Sequence, residues 1–229
     1  MKLVSDMVLE QSAVVANCRM NRERNLSGSN GYGIELRFAP LDFLRVAAAA
    51  NGKARWLDLC CGSGKALTQG AEIADSDVLP VEIVGVDLAG LFVPSRSPRL
   101  KLVEASLTNW LPEGLFDLVT CVHGLHYIGD KLSLIARARS WLTERGRFSA
   151  NFDLKSVKLQ GVRSSSRIFA PALRSAGFDY SARKKLIQCE GRHAHRFPFR
   201  YLGADDQAGP NYTGQPAVDS YYERSPDDK

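Results

Sequence analysis

Residues able to do chemistry gather in the middle of this 229-residue chain. The run Asp58-Leu59-Cys60-Cys61-Gly62-Ser63-Gly64 opens with an acid and closes on two glycines. Glycines let a backbone turn sharply and come close to a ligand, and a helix starting near Lys65 would add free N–H groups. A phosphate loop ending in Gly-Lys is excluded, because Leu59 and Ala66 stand where Gly and Ser/Thr are required. Gly62-Ser63-Gly64 gives only part of a dinucleotide fingerprint, with Leu67 in place of the third glycine, so that reading fits poorly. A second acid, Asp87, ends the run Ile83-Val84-Gly85-Val86-Asp87. At the end of a second strand, after a glycine-rich first turn, an acid is placed to accept hydrogen bonds from both ribose hydroxyls.

His123 and His126 follow the apolar run 116–121. A neutral imidazole there can take a proton from a hydroxyl or an amine near neutral pH; each is equally readable as a structural histidine at a strand end. His193 and His195 would share one face of a strand, with Cys189 on the other face across a two-residue turn. Three convergent ligands are lacking, and no metal is expected.

These residues need a frame. Short apolar runs at 55–60, 82–87, 101–104, 116–121 and 147–152 read as strands. Helical segments lie between them, most clearly 130–143, with Leu134, Ile135, Ala138, Trp141 and Leu142 on one face and Gly146 closing it. Such alternation argues for a mostly parallel sheet covered on both faces. Before it, Val4, Met7, Val8, Val14, Val15 and Cys18 mark one helix, the glycine-rich segment 25–33 a loop, and Pro40 to Gly52 a second helix. Near the end, 184–189 and 193–199 flank Glu190-Gly191 as a hairpin, with Pro198 placing the second strand near an edge. Beyond Gly203 the chain lacks periodicity and reads as a loosely held tail. The division expected is a helical cap (1–52), a Rossmann-like domain (53–202) and an acidic tail (203–229).

Hydrophobic residues make up 45% of the chain and charged residues 24%, enough for a packed core. Five cysteines without CxxC spacing argue against a disulfide framework or zinc ribbon and for a reducing compartment. With neither a signal-peptide pattern nor a membrane-length apolar run, a cytoplasmic protein without a membrane partner is expected. The net charge is +5, unevenly spread. Residues 155–200 hold 11 Lys/Arg against Asp179 and Glu190, whereas 201–229 hold six acids and two bases. The basic stretch suits either a nucleic acid or a solvated face partly neutralised by the chain's own acids; the second is favoured, since no aromatic–basic interleaving accompanies it.

Taken in order, these motifs resemble the class I S-adenosylmethionine-dependent methyltransferases, over roughly residues 55–199. The resemblance implies an α/β, Rossmann-like, seven-stranded and mostly parallel sheet with helices on both faces and a terminal β-hairpin. It implies S-adenosylmethionine as cofactor, cradled by Cys60, Gly62 and Gly64, with Asp58 ordering that loop and facing the cofactor's ammonium group. Asp87 matches the ribose-binding acid, with Leu88 beside it. Val103-Glu104-Ala105-Ser106 is similar to the third motif, in which an acid receives the adenine amino group and the next N–H meets the ring. Residues 116–128 resemble the fourth motif, bordering the transferable methyl, and Leu173-Arg174-Ser175-Ala176-Gly177-Phe178 resembles the approach to the terminal hairpin. One departure is Cys60, where glycine is commonest; a thiol fits there if φ stays negative. In this family, segments before the first strand often close over the cofactor, a place for Tyr32; Arg22 and Arg24 suit an anionic substrate. A small-molecule methyl acceptor is favoured, with an RNA acceptor or non-catalytic cofactor binding as the alternatives.

Overall fold

The computed structural model describes residues 2–17 and 23–225. Its main sheet contains β1 (Ala54–Leu59), β2 (Val81–Asp87), β3 (Leu100–Glu104), β4 (Phe116–Cys121) and β5 (Leu142–Asn151). With β7 (Asp179–Ser181) and β8 (Leu186–Glu190) it has seven strands, ordered β3-β2-β1-β4-β5-β8-β7. Every pairing among β1–β5 is parallel, and β8 alone runs against its neighbours. The sequence reads that way because both faces are covered. All six residues of β4 are buried, the polar Asp117 and Thr120 included, so the strand shows continuous burial rather than an alternation.

Before the sheet come α1 (Asp6–Glu10), α2 (Ala13–Asn17), α3 (Tyr32–Leu36) and α4 (Pro40–Asn51); α5 (Lys65–Ser76), α6 (Lys131–Ser140) and α7 (Ser166–Ser175) follow. One core cluster packs α3, α4 and α5 against Trp56 and Ile83; a second packs α6 and α7 against Phe148 and Leu57; a third, smaller one joins Leu9, Val14 and Val15 to Ala204 and Val218. Strand order reverses between β1 and β4, where a crevice opens beyond the carboxyl ends of a parallel sheet.

Four local expectations change. The single N-terminal helix is two short ones, with Met7 and Val8 exposed and Leu9 buried. Val4 is drawn into a bridge with Ala204, so the chain enters extended and Leu9 sets the buried face. Cys18 and Arg22 lie outside the described residues. Gly146 does not close α6: Trp141 caps the helix, and Gly146 lies within β5. The terminal hairpin is β7–β8, not 184–189 with 193–199. Both edges of β8 are taken, by β5 and β7, which leaves His193 and His195 in an irregular segment.

The tail is not loosely held. A second sheet orders β6 (Val157–Leu159), β10 (Asp219–Arg224) and β9 (Phe199–Asp205) as β6-β10-β9. Val218, Ser220 and Tyr222 are buried. Lys131, fully buried, donates to Ile128 O (2.9 Å), Val218 O (2.8 Å) and Ser220 Oγ (2.7 Å). Burial pushes its pKa down to about 7. Acids of the tail also meet the basic stretch, Asp219 with Lys158 (3.1 Å) and Glu223 with Arg200. Among the described residues no helix is long and apolar enough to cross a membrane.

Candidate active site

The turn after β1 is built from left-handed residues: Cys60 (φ 56°), Gly62 (61°) and Gly64 (71°). Three such residues in five reverse the chain directly into α5. The condition of a negative φ, under which a thiol is expected to fit at Cys60, is therefore not met, yet the thiol is accommodated. A left-handed non-glycine costs about 1–2 kcal/mol, and the surroundings must hold it there. Space for its side chain comes from Gly124, where an added Cβ would fall 2.3 Å from Cys60 Cβ and 2.8 Å from Cys121 Sγ. Asp87 ties the turn to β2: its Oδ2 accepts from Gly62 N–H (3.0 Å) and its Oδ1 from Ala89 N–H (2.9 Å).

Asp58 is fully buried and does not line the cleft. Its oxygens accept from Tyr32 Oη (2.7 Å) and from Thr120 Oγ1, which in turn accepts from Trp56 Nε1 (2.8 Å). Burial raises its pKa to about 7, although both hydroxyl bonds oppose the rise. In this structure it braces the turn and α3 rather than facing a ligand's ammonium group. Tyr32 is accordingly not a residue of a loop lid. It opens α3, is 3% exposed, packs edge-on against Trp56, and shows one side to the cleft.

The cleft, about 230 Å³, lies over the carboxyl ends of β1, β2 and β4. Of the residues expected from the sequence, Tyr32, Cys60, Gly62, Asp87, Leu88, Ala105, His123 and His126 line it. Gly64 and Ser106 stand behind the wall, and Glu104 is turned away: it is exposed, with its carboxylate over Gly90. The N–H after it, that of Ala105, donates to Asp87 O (3.0 Å), so the parallel ladder runs one residue further than the motif supposes. The sequence reading missed Glu10, Arg137 and the residues Asn211, Thr213 and Gln215 between β9 and β10. No local pattern marks them; they arrive through contacts across most of the chain. Arg24 is in the wall, held by Asn30 (2.7 Å) and Glu35 (3.1 Å).

The two histidines differ in environment. His126 is 1% exposed, its Nε2 is buried without a partner among the described residues, and burial lowers its pKa to about 3. It is neutral at any ordinary pH. His123 sits at φ 59°, its N–H on Asn151 Oδ1 (3.3 Å) and its Nε2 3.0 Å from Glu35 Oε2. His123 is the main cause of a lowered Glu35 pKa, with Arg24 and Asn151 adding to it. The Tyr212 ring covers both imidazoles, its centre 6.2 Å from His123 and 5.3 Å from His126. An imidazole beside a carboxylate, next to a buried neutral imidazole with an unpartnered nitrogen, thus faces the Cys60–Gly62 turn and Asp87 across one cleft.

No curated protein sequence matches the chain. Among solved structures it resembles the magnesium protoporphyrin IX methyltransferase ChlM of Synechocystis PCC 6803 with bound SAM, at 15% identity and TM-score 0.48, over 84% of this chain and 99% of that one. It resembles the N-methyltransferase NodS of Bradyrhizobium japonicum WM9 in complex with S-adenosyl-L-homocysteine at 13% identity and TM-score 0.43, over 78% and 100%. The plantazolicin methyltransferase BpumL, in complex with SAH, matches at 13% identity and TM-score 0.43 over 75% of this chain, which spans only 59% of that protein. A model of the methyltransferase domain matches residues 34–163, more than half of the sequence. The chain belongs to the methyltransferase-domain family, in keeping with the class I S-adenosylmethionine-dependent character of its motifs.

Proposed function

We propose that this protein transfers a methyl group from S-adenosylmethionine to a small-molecule acceptor, with His123 as the proton acceptor. The observation that carries the reading is the joining of two motifs in one cleft: Gly62 N–H is bonded to Asp87, and His123 faces the same space. The residues fit the cofactor. A tight turn at Cys60–Gly62, an acid at the end of β2 and an apolar recess of Leu88, Ala105 and Leu107 follow one another along the wall. When bound, S-adenosylmethionine supplies a methyl group already activated on a sulfonium.

The protein's task is then alignment, exclusion of water and removal of a proton. Asp87 and Leu88 hold the ribose side, and the Cys60–Gly62 turn holds the amino-acid side, with Asp58 and Tyr32 stiffening it from behind. Glu35 Oε2 lies 3.0 Å from His123 Nε2, so the other ring nitrogen is the one proposed to act as the base. His126 is a poor base because burial keeps it neutral; its Nε2 suits a hydrogen bond to a polar group of the acceptor. A hydroxyl or amine acceptor agrees with this pair. Tyr212, Asn211 and Thr213 close the acceptor side, and α1 closes the cofactor side. Support for a small molecule comes from this enclosure and from the tail acids that partly neutralise the basic stretch.

The test is transfer of isotope-labelled methyl from S-adenosylmethionine into fractionated cell extract. Label in the small-molecule fraction, lost in His123→Ala, is expected. Label confined to RNA would overturn the choice of acceptor, and no label in any fraction would favour non-catalytic binding.

A further inference from the structure

At the end of the cleft where Leu88, Ala105 and Leu107 meet, one wall is a residue from the far N-terminus. Glu10, the last residue of α1, reaches 96 positions along the chain to Ser106. Its Oε1 accepts from Ser106 Oγ (2.5 Å) and Thr108 Oγ1 (3.2 Å). Those two hydroxyls fix the carboxylate, and Oε2 has no partner among the described residues. Arg137, a cation in the same lining, donates to the carbonyls of Leu107 (2.7 Å) and Trp110 (2.7 Å) and makes no ion pair with Glu10. Glu10 therefore presents an anchored acceptor-only group to the recess. The acid that the third motif would use, Glu104, lies over Gly90 outside the cleft, and the Ala105 N–H is committed to β2.

We infer that Glu10 receives the exocyclic amino group of the cofactor's adenine, taking over from α1 the part that the strand-end acid cannot play. The inference rests on the cleft being the S-adenosylmethionine site. A carboxylate at this point attracts a 6-amino purine and repels a 6-oxo purine, whose edge carries an acceptor oxygen. Glu10 would thus set base specificity, and cofactor binding would draw α1 onto the domain.

Calorimetry with S-adenosylhomocysteine and its 6-oxo (inosine) analogue tests this in wild type, Glu10→Gln and Glu10→Ala, with thermal unfolding to show that each variant folds. Wild type is expected to prefer the amino compound by roughly 10- to 100-fold, the worth of a hydrogen bond to a charged group. Glu10→Gln should bring the two ligands within about threefold, because an amide can turn its NH2 toward the oxo group. If both variants weaken both ligands equally and keep the preference, Glu10 only shapes the wall and the inference fails while the site stands. If wild type binds neither compound, the cofactor reading falls with it.

Discussion

A buried carboxylate and a strained cysteine govern the turn that defines the site, and each gives a stability signature independent of the acceptor. Folded Asp58 keeps its proton up to about pH 7, whereas an unfolded aspartate loses it near 3.9. Between those values the native state binds more protons, so this group's contribution to stability falls as pH rises. Asp58→Asn removes the titration. Relative to wild type it should gain on the order of 1–3 kcal/mol between pH 5 and pH 8 in urea unfolding; a difference that does not change with pH would contradict the burial. Cys60 and Gly124 form a second pair, one side chain occupying space that the other residue leaves. Gly124→Ala alone should cost about 2–3 kcal/mol by overpacking, and Cys60→Gly should recover most of it in the double variant. Additive effects in that cycle would mean that the two residues are not coupled. The glycine turn and Asp87 were legible in the sequence because their type and spacing are local. The sign of φ at Cys60 was not, since it depends on a glycine 64 positions away.

Elements became legible to the extent that the residues they bury are apolar. α4 keeps its Pro40 start and its Gly52 cap (φ 79°), and β4 matches its apolar run residue for residue. β10 gave no such signal. Its inward residues are Ser220 and Tyr222, polar in sequence and buried only because partners satisfy them. Ser220 accepts from Lys131, while Tyr222 Oη accepts from Leu132 N–H (3.1 Å) and donates to Asp130 (3.0 Å). Lys131 thereby pins the start of α6, which follows the His123–His126 segment, to the last strand. Lys131→Met strips three acceptors of their donor and should cost about 2–4 kcal/mol. It should also flatten the rise in stability from about pH 7 to pH 10 that comes from a lysine whose folded pKa is depressed. A melting temperature within a degree of wild type would show that the clamp carries no load. Helix α1 was obscured differently: a 3.6-residue pattern was present, but the bridge from Val4 to Ala204 shifts which face is buried.

At the scale of the molecule, one mostly parallel sheet forms the floor of the cleft, and segments from the two halves of the chain enclose it. Glu10 walls the cleft from one segment of the chain; Asn211, Thr213 and Gln215 wall it from another. Neither contribution follows from short-range pattern, which is why the cradle could be read from the sequence and the enclosure could not. Truncation after Gly203 should do more than unmask the basic stretch. It removes β10, leaves Lys131 without two of its acceptors, and should abolish cooperative unfolding; a truncated chain that melts cooperatively near the full-length temperature would contradict the second sheet. The central claim, that the cleft between β1, β2 and β4 holds S-adenosylmethionine, is tested most directly by calorimetric titration of the full chain with S-adenosylhomocysteine, in wild type and in Asp87→Ala. One-site binding in wild type and no measurable heat in the variant are expected; equal affinity in both, or no binding to wild type, would contradict that claim.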